Sequence, residues 1–299
     1  MNEQTSTKKS FGLSSLSLKI IACILMTLDH IALLFLERGN VDINTDYYIL
    51  RAVGKIAFPI FVFLAVEGVY HTKNIFKYLC RLGIIAIIMD GFGYIIGQIY
   101  KIPVYDNPLI GNAFTDLFLG VLAVYLLKRK DWYSLLAVVP VALAVLSNVT
   151  ADVNYGTIIK TDWGLFSMVL FLAFFLARTL ADLFIKDKAK QSQIDLETFR
   201  SLVSDKYHKY FEVVALVTVE LAFYLLWRFN YSSQFLPNDF VPLGTYSTLA
   251  AVFLLFYNGK RGFKNKIIQY SFYAYYPFHI VLLGIISLFF GILRTAISA

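Results

Sequence analysis

The stretch LKIIACILMTLDHIALLFL, residues 18–36, decides how the rest of the chain is read. It is apolar and long enough to cross a bilayer core as one helix. Near its middle stand Asp29 and His30. An ionisable group at membrane depth costs about 2.5–3.5 kcal/mol on insertion scales and marks a functional site by default. The first segment therefore predicts both a membrane helix and a polar site inside it.

The composition around this stretch agrees. Apolar residues make up 58% of the chain and charged ones only 16%, with 27 Phe and 20 Tyr, a mix suited to membrane interiors and interfacial belts. Such a composition excludes a soluble domain and predicts a polytopic membrane protein. Cys23 and Cys80 lie in apolar runs and imply no disulfide or metal framework. The polar N-terminus has no small-residue cleavage site after the first apolar run, so that run reads as an anchor.

A span needs about 20 mostly apolar residues. That criterion predicts an all-α transmembrane bundle of about nine spans, within a range of eight to ten. They fall near 18–36, 50–70, 78–99, 109–127, 133–149, 163–185, 211–229, 243–257 and 268–293. Residues 1–17 form a polar N-terminus. Residues 18–299 form one helical domain with a polar loop at about 186–210. Of the 27 Lys and Arg, 19 fall on the N-terminus and alternate connections, among them Lys8, Lys73, Lys77, Arg81, Lys128, Lys186 and Arg261. The positive-inside rule then puts the N-terminus and the 186–210 loop in the cytoplasm. The net charge of +7 is thereby a topology signal rather than a nucleic-acid footprint.

With that orientation, Asp29, His30, Lys55, Asp90, Asp116, Glu220 and His279 converge on one layer at or just outside the midplane. Facing lipid separately, the five charged groups would be unfavourable by roughly 10 kcal/mol, so a shared polar chamber is the economical arrangement. Asp29 with Lys55 or Arg51 also suits a buried pair that fixes helix packing. Asp90, beside Gly91 and Gly93, suits a local backbone contact, and Glu220 a structural hydrogen bond. His279 follows Pro277, which removes a backbone donor within its span, and irregular backbone at this depth is tolerated where it lines a cavity. Adjacent helical residues point about 100° apart, so Asp29 is poorly placed to orient His30. An Asp–His contact would be made across helices: His30 with Asp90 or Asp116, or Asp29 with His279. Nearer the cytoplasm, Glu67 and His71 share a helix face beside Lys73, Lys77 and Arg81, either as a salt-bridge cluster or as a positively charged entrance for phosphates.

Several of these pieces together resemble the TraX family of integral membrane proteins associated with N-terminal acetylation of pilin. They are LKIIACILMTLDHI, RAVGKIAFPIFVFLAVEGVYHT at 51–72, FTDLFLGVLAVYLL at 114–127, TDWG at 161–164 and YYPFH at 275–279. The resemblance implies a multi-pass protein of the bacterial plasma membrane. It would transfer an acetyl group from cytoplasmic acetyl-coenzyme A to an exported peptide N-terminus or a cell-surface glycan, without a metal. It places Asp29, His30, Arg51, Lys55, Glu67, His71, Asp116 and His279 in the candidate site. On this reading His30 or His279 is the base or a transient acetyl carrier, oriented by Asp29 or Asp116, with Lys55 or Arg51 offsetting negative charge. The coenzyme would bind near Glu67, His71, Lys73 and Arg81. A proton-coupled secondary transporter is the alternative, because midplane carboxylates and histidines also suit a proton relay. The surroundings of Pro59 and Pro277 show no paired repeat, which disfavours it.

Overall fold

A helix that is apolar on every face has to be buried on every face. Ala57–His71 is such a helix. Phe58, Ile60, Val62, Phe63, Val66 and Val69 point in all directions around it and are buried in the computed structural model, which describes residues 12–37, 45–101, 111–149, 160–229, 245–263, 265–289 and 291.

The other elements surround this hub in an all-helical bundle. Helix α1 (Ser15–Ile31) starts at a Ser14 cap and widens into π-helical turns over Ala32–Glu37. Helix α2 (Thr45–Lys55) leads into the hub, α3 (Ala57–His71), through a break at Ile56. Pro59 explains the break: it has no N–H to give the Lys55 carbonyl four residues earlier. Helix α4 (Ile75–Tyr100) is capped by Asn74, and α5 (Ala113–Arg129) by Asn112. A 3₁₀ turn at Trp132–Ala137 runs into α6 (Val138–Val149). Helices α7 (Gly164–Gln191) and α8 (Leu196–Arg228) form a long pair. A second 3₁₀ turn, Thr245–Leu249, leads into α9 (Ala250–Leu255), and α10 (Lys266–Phe289) carries Pro277 inside it.

Each of the nine apolar segments contains a helix. Among the described residues five helices are long and apolar enough to cross a membrane: Ser15–Leu36, Thr45–His71, Ile75–Ile99, Gly164–Gln191 and Leu196–Arg228. The count falls short of nine partly because α5, at 17 residues, and the apolar stretches Trp132–Ser147 and Thr245–Leu255 are shorter. The outer face carries large apolar side chains, such as Ile84, Ile87, Ile88, Ile95 and Ile99 on α4, as a lipid-facing surface does.

The polar segment at 186–210 is not an open loop. Helix α7 continues to Gln191 because Ile185 and Ala189, one turn apart, stay buried. Helix α8 begins at Leu196, where Asp195 accepts the Thr198 backbone N–H at 3.0 Å. Only 192–195 separate the two. Of the basic residues used to orient the chain, Lys8, Lys9, Arg38, Lys264 and Arg294 lie outside the described residues.

Candidate functional site

The first segment and the last meet through their histidines. His279 Nε2 lies 3.1 Å from His30 Nδ1. Each ring also reaches back one helical turn: His279 Nδ1 to the Tyr275 carbonyl and His30 Nδ1 to the Met26 carbonyl, both at 2.9 Å. A carbonyl only accepts, so the neighbours dictate a tautomer for two neutral rings. His279 carries its proton on Nδ1 and presents the Nε2 lone pair to His30. His30 carries its proton on Nδ1, shared between that lone pair and Met26. His30 Nε2 is left holding a lone pair.

The pair is framed by aromatic rings. Tyr275 stacks on His279 at 5.0 Å and 12°, while Tyr276 lies edge-on at 5.6 Å from His279 and 6.2 Å from His30. The Tyr275 hydroxyl meets Thr27 Oγ1 at 2.5 Å, one turn before His30, and Thr27 donates to the Cys23 carbonyl. The α1–α10 seam thus holds two polar links a turn apart. Backbone irregularity gathers at this level: the π-helical turns follow His30, the α2/α3 break ends at Lys55, and Pro277 precedes His279 by two residues. Such backbone belongs at membrane depth only where protein or a cavity surrounds it.

Asp29 does not orient a histidine. Its Oδ2 accepts from Arg51 Nη1 at 2.6 Å, across the α1–α2 contact. Gly54 permits that contact, since a Cβ there would sit 2.3 Å from the Asp29 Cβ. The buried Asp29 Oδ1 and Arg51 Nε have no hydrogen-bond partner. Asp29, Arg51 and Lys55 all act electrostatically on His30, and Asp162 shares their field. Lys55 Nζ sits 4.8 Å over the Trp163 ring, which stacks on Phe58 at 4.3 Å.

Asp116 serves the TDWG turn. Its Oδ2 accepts the backbone N–H groups of Asp162 and Trp163 at 2.8 and 3.1 Å, and its Oδ1 that of Gly164 at 3.1 Å. Helix α7 has no cap of its own at Trp163, so a carboxylate from α5 supplies one. The other embedded carboxylates are held likewise. Asp90 accepts from Gly111, Asn112 and Thr115, and Glu220 from the Ser247 hydroxyl. Neither Asp90 nor Asp116 reaches His30, and Asp29 does not reach His279; the cross-helix partner of each histidine is the other histidine.

Towards the start of α1 lies a cavity of about 640 Å³. Glu67, His71, Lys73 and Arg81 line it, as the sequence leads one to expect, and Lys19 and Arg261 join them. Arg51 does not. Lys19, Lys73, Arg81 and Arg261 make no ion pair with a carboxylate among the described residues, while Glu67 is already engaged. It pairs with His71 at 2.8 Å and with Arg178, whose Nε donates to Glu212 Oε1 at 2.6 Å. Arg178 and Glu212 are almost fully enclosed. The aromatic walls include Tyr78, Phe272 and Tyr273.

Sequence reasoning missed Arg178, Glu212, Asp162, Lys19 and Arg261 as site-shaping residues. Arg178 carried a usable signal, being a charge well inside the apolar 163–185 run. The others stand near span ends, where charge is ordinary.

Comparison with known proteins adds a relationship. The family described as TraX protein matches residues 14–182. A protein of Dichelobacter nodosus named "Probable fimbrial assembly protein FimC, serogroup H1" is 29% identical over 279 residues, covering 92% of this chain and 96% of its own length. No solved structure matches.

Proposed function

We propose a function from one premise: the chain belongs to the TraX family. It is an integral membrane acyltransferase that carries an acetyl group from coenzyme A on the cytoplasmic side to an acceptor on the other. The observation that carries this reading is the contact between the two histidines, whose backbone-carbonyl partners leave His30 Nε2 free of them and beside Asp29, Arg51 and Lys55.

The cavity fits the coenzyme by its chemistry: four cations that pair with no carboxylate among the described residues, for phosphates, and the aromatic rings of Tyr78, Phe272 and Tyr273 for a base. Lys19, Lys73, Arg81 and Arg261 would hold it, with His71 at the rim. The coenzyme supplies an acyl group activated as a thioester. The mouth is built from the basic ends of α1, α3, α4 and α10, so positive-inside topology with nine crossings opens it to the cytoplasm.

His30 Nε2 takes either the proton of the attacking amine or hydroxyl, or the acyl group itself. In the second case a C–N bond to Nε2 forms as the C–S bond breaks and the sulfur leaves as thiolate. His279 accepts from His30 Nδ1 and fixes which nitrogen is available, the orienting role expected of an aspartate. Lys55 and Arg51 offset the negative charge that develops on the carbonyl oxygen. The unpartnered Asp29 Oδ1 and Arg51 Nε offer an acceptor and a donor to the incoming nucleophile. The relative's printed name concerns fimbrial assembly, which makes a pilin-type peptide the leading acceptor. Asp90, Asp116 and Glu220 are each occupied by donors, which leaves little of a proton relay for the transporter alternative.

The test is transfer of labelled acetyl from acetyl-coenzyme A by purified protein in lipid, with hydroxylamine or peptide as nucleophile. His30→Ala and His279→Ala should fold yet lose transfer. Normal transfer by both would sink the reading.

A further inference from the structure

The cavity and the histidine pair do not open into each other. On α10 the cavity lining stops at Tyr273, six residues before His279, or about 9 Å along the helix. On α5 the lining is limited to Leu117 and Phe114. The Tyr276 side chain stands between Phe114 and the imidazoles. The Tyr276 ring lies 5.1 Å from Phe114 on the cavity side and 5.6 and 6.2 Å from the two histidines on the other. It is only 7% exposed, and Phe114 only 8%. Neither Tyr276 nor the histidines line the cavity.

Resting on the acyltransferase reading, we propose that Tyr276, backed by Phe114, is the specificity residue that limits the donor to short acyl groups. For His30 to meet a thioester carbonyl presented from the cavity, the Tyr276 ring must swing aside and the acyl group must take the space it vacates. That space is about one ring deep and closed behind by His30 and His279. Protein interiors are close-packed, and extra methylenes force neighbours off their preferred rotamers. An acetyl group, three heavy atoms, fits easily where the seven-atom phenol was; an acyl chain longer than that phenol has to displace the histidine pair or Phe114. A pocket of this kind discriminates by about 10–200-fold per methylene. The same ring, when in place, separates His30 from the cavity contents and so from water entering through the mouth.

The experiment compares kcat/KM for acetyl-, butyryl- and octanoyl-coenzyme A, using the full chain in lipid with hydroxylamine as acceptor and hydroxamate as product. Wild type should use octanoyl at least about 100-fold less well than acetyl. Tyr276→Ala and Phe114→Ala should each raise the octanoyl-to-acetyl ratio tenfold or more, whereas Tyr276→Phe, which keeps a ring in the gap, should hold the wild-type ratio. If Tyr276→Ala does not fold, Tyr276→Leu and Phe114→Ala decide the matter by the same ratio. A wild type indifferent to chain length, or ratios unchanged in the ring-deleted variants, overturns the proposal while leaving acyl transfer intact. A wild type that transfers no acyl group overturns the acyltransferase reading, and this proposal with it.

Discussion

Two polar clusters lie inside this bundle, and they are built on opposite plans. At the cavity, Glu67, Arg178 and Glu212 answer charge with charge, and His71 adds a fourth member. Around His30 and His279 two imidazoles are held by backbone carbonyls and by each other, and no carboxylate is hydrogen-bonded to either ring among the described residues. The first plan balances charge against charge and fixes three helices, α3, α7 and α8, in place, although Glu212 Oε2 finds no hydrogen-bond partner among the described residues. The second leaves one nitrogen with a lone pair and nothing built to neutralise it.

The largest expected effect tests the incomplete cluster. His30→Ala should lower acyl transfer by about 10²–10⁴-fold, the usual contribution of a general base, with little change in thermal unfolding in detergent. A large loss of stability would mean that this pair, too, is a structural device. The converse applies at the cavity. Arg178→Met strands two enclosed carboxylates and should destabilise by roughly 3–5 kcal/mol in denaturant unfolding. Adding Glu67→Gln and Glu212→Gln to it should recover much of that loss, since a neutral cluster of similar volume needs no cation. Failure to recover would show Arg178 to have a role beyond neutralisation.

Gly54→Ala probes the support behind His30. The new methyl group would collide with Asp29, so stability should fall by about 1–3 kcal/mol and transfer should fall with it. Thr27→Val removes the hydroxyl link to Tyr275 and should cost about 1 kcal/mol. A surface control gives the smallest effect. The Thr198 backbone N–H holds the Asp195 carboxyl below the usual carboxylate range. A depressed native pKa adds stability above the unfolded value and loses it as pH falls through the native one. The difference in Tm between wild type and Asp195→Ala should therefore be present at neutral pH and vanish in acid, whatever happens in either cluster.

How much of this was legible in the chain follows from what a sequence encodes. Apolar length gives helices, and each of the nine segments contains one. Position along a span gives depth, which is why His30 and His279 were already on one level before they proved to touch. Rotation about the helix axis is not written in depth. The choice among Asp29, Asp90 and Asp116 was therefore open, and Asp29 turned to Arg51 while Asp116 turned to the TDWG turn; the other histidine, the partner found, was not among those candidates. Glu67, His71, Lys73 and Arg81 were readable as one cluster because they are close in sequence. Arg178 and Glu212 complete it from helices more than a hundred residues away, and the aromatic layer of Phe114 and Tyr276 exists only once α5 and α10 are packed.

The start of α1 has a mechanical consequence. The backbone N–H groups of Ser15 and Leu16 donate to the carbonyls of Lys260 and Arg261 at 2.8 and 3.2 Å, and Leu13 pairs with Phe256 and Asn258. The first turn of α1 is thus bolted to the strip of chain that brings Arg261 to the cavity mouth. From Leu16 to His30 the helix is a strut about 21 Å long. The strip that carries Arg261 and the helix that carries His30 are therefore one mechanical piece, joined at the first turn of α1.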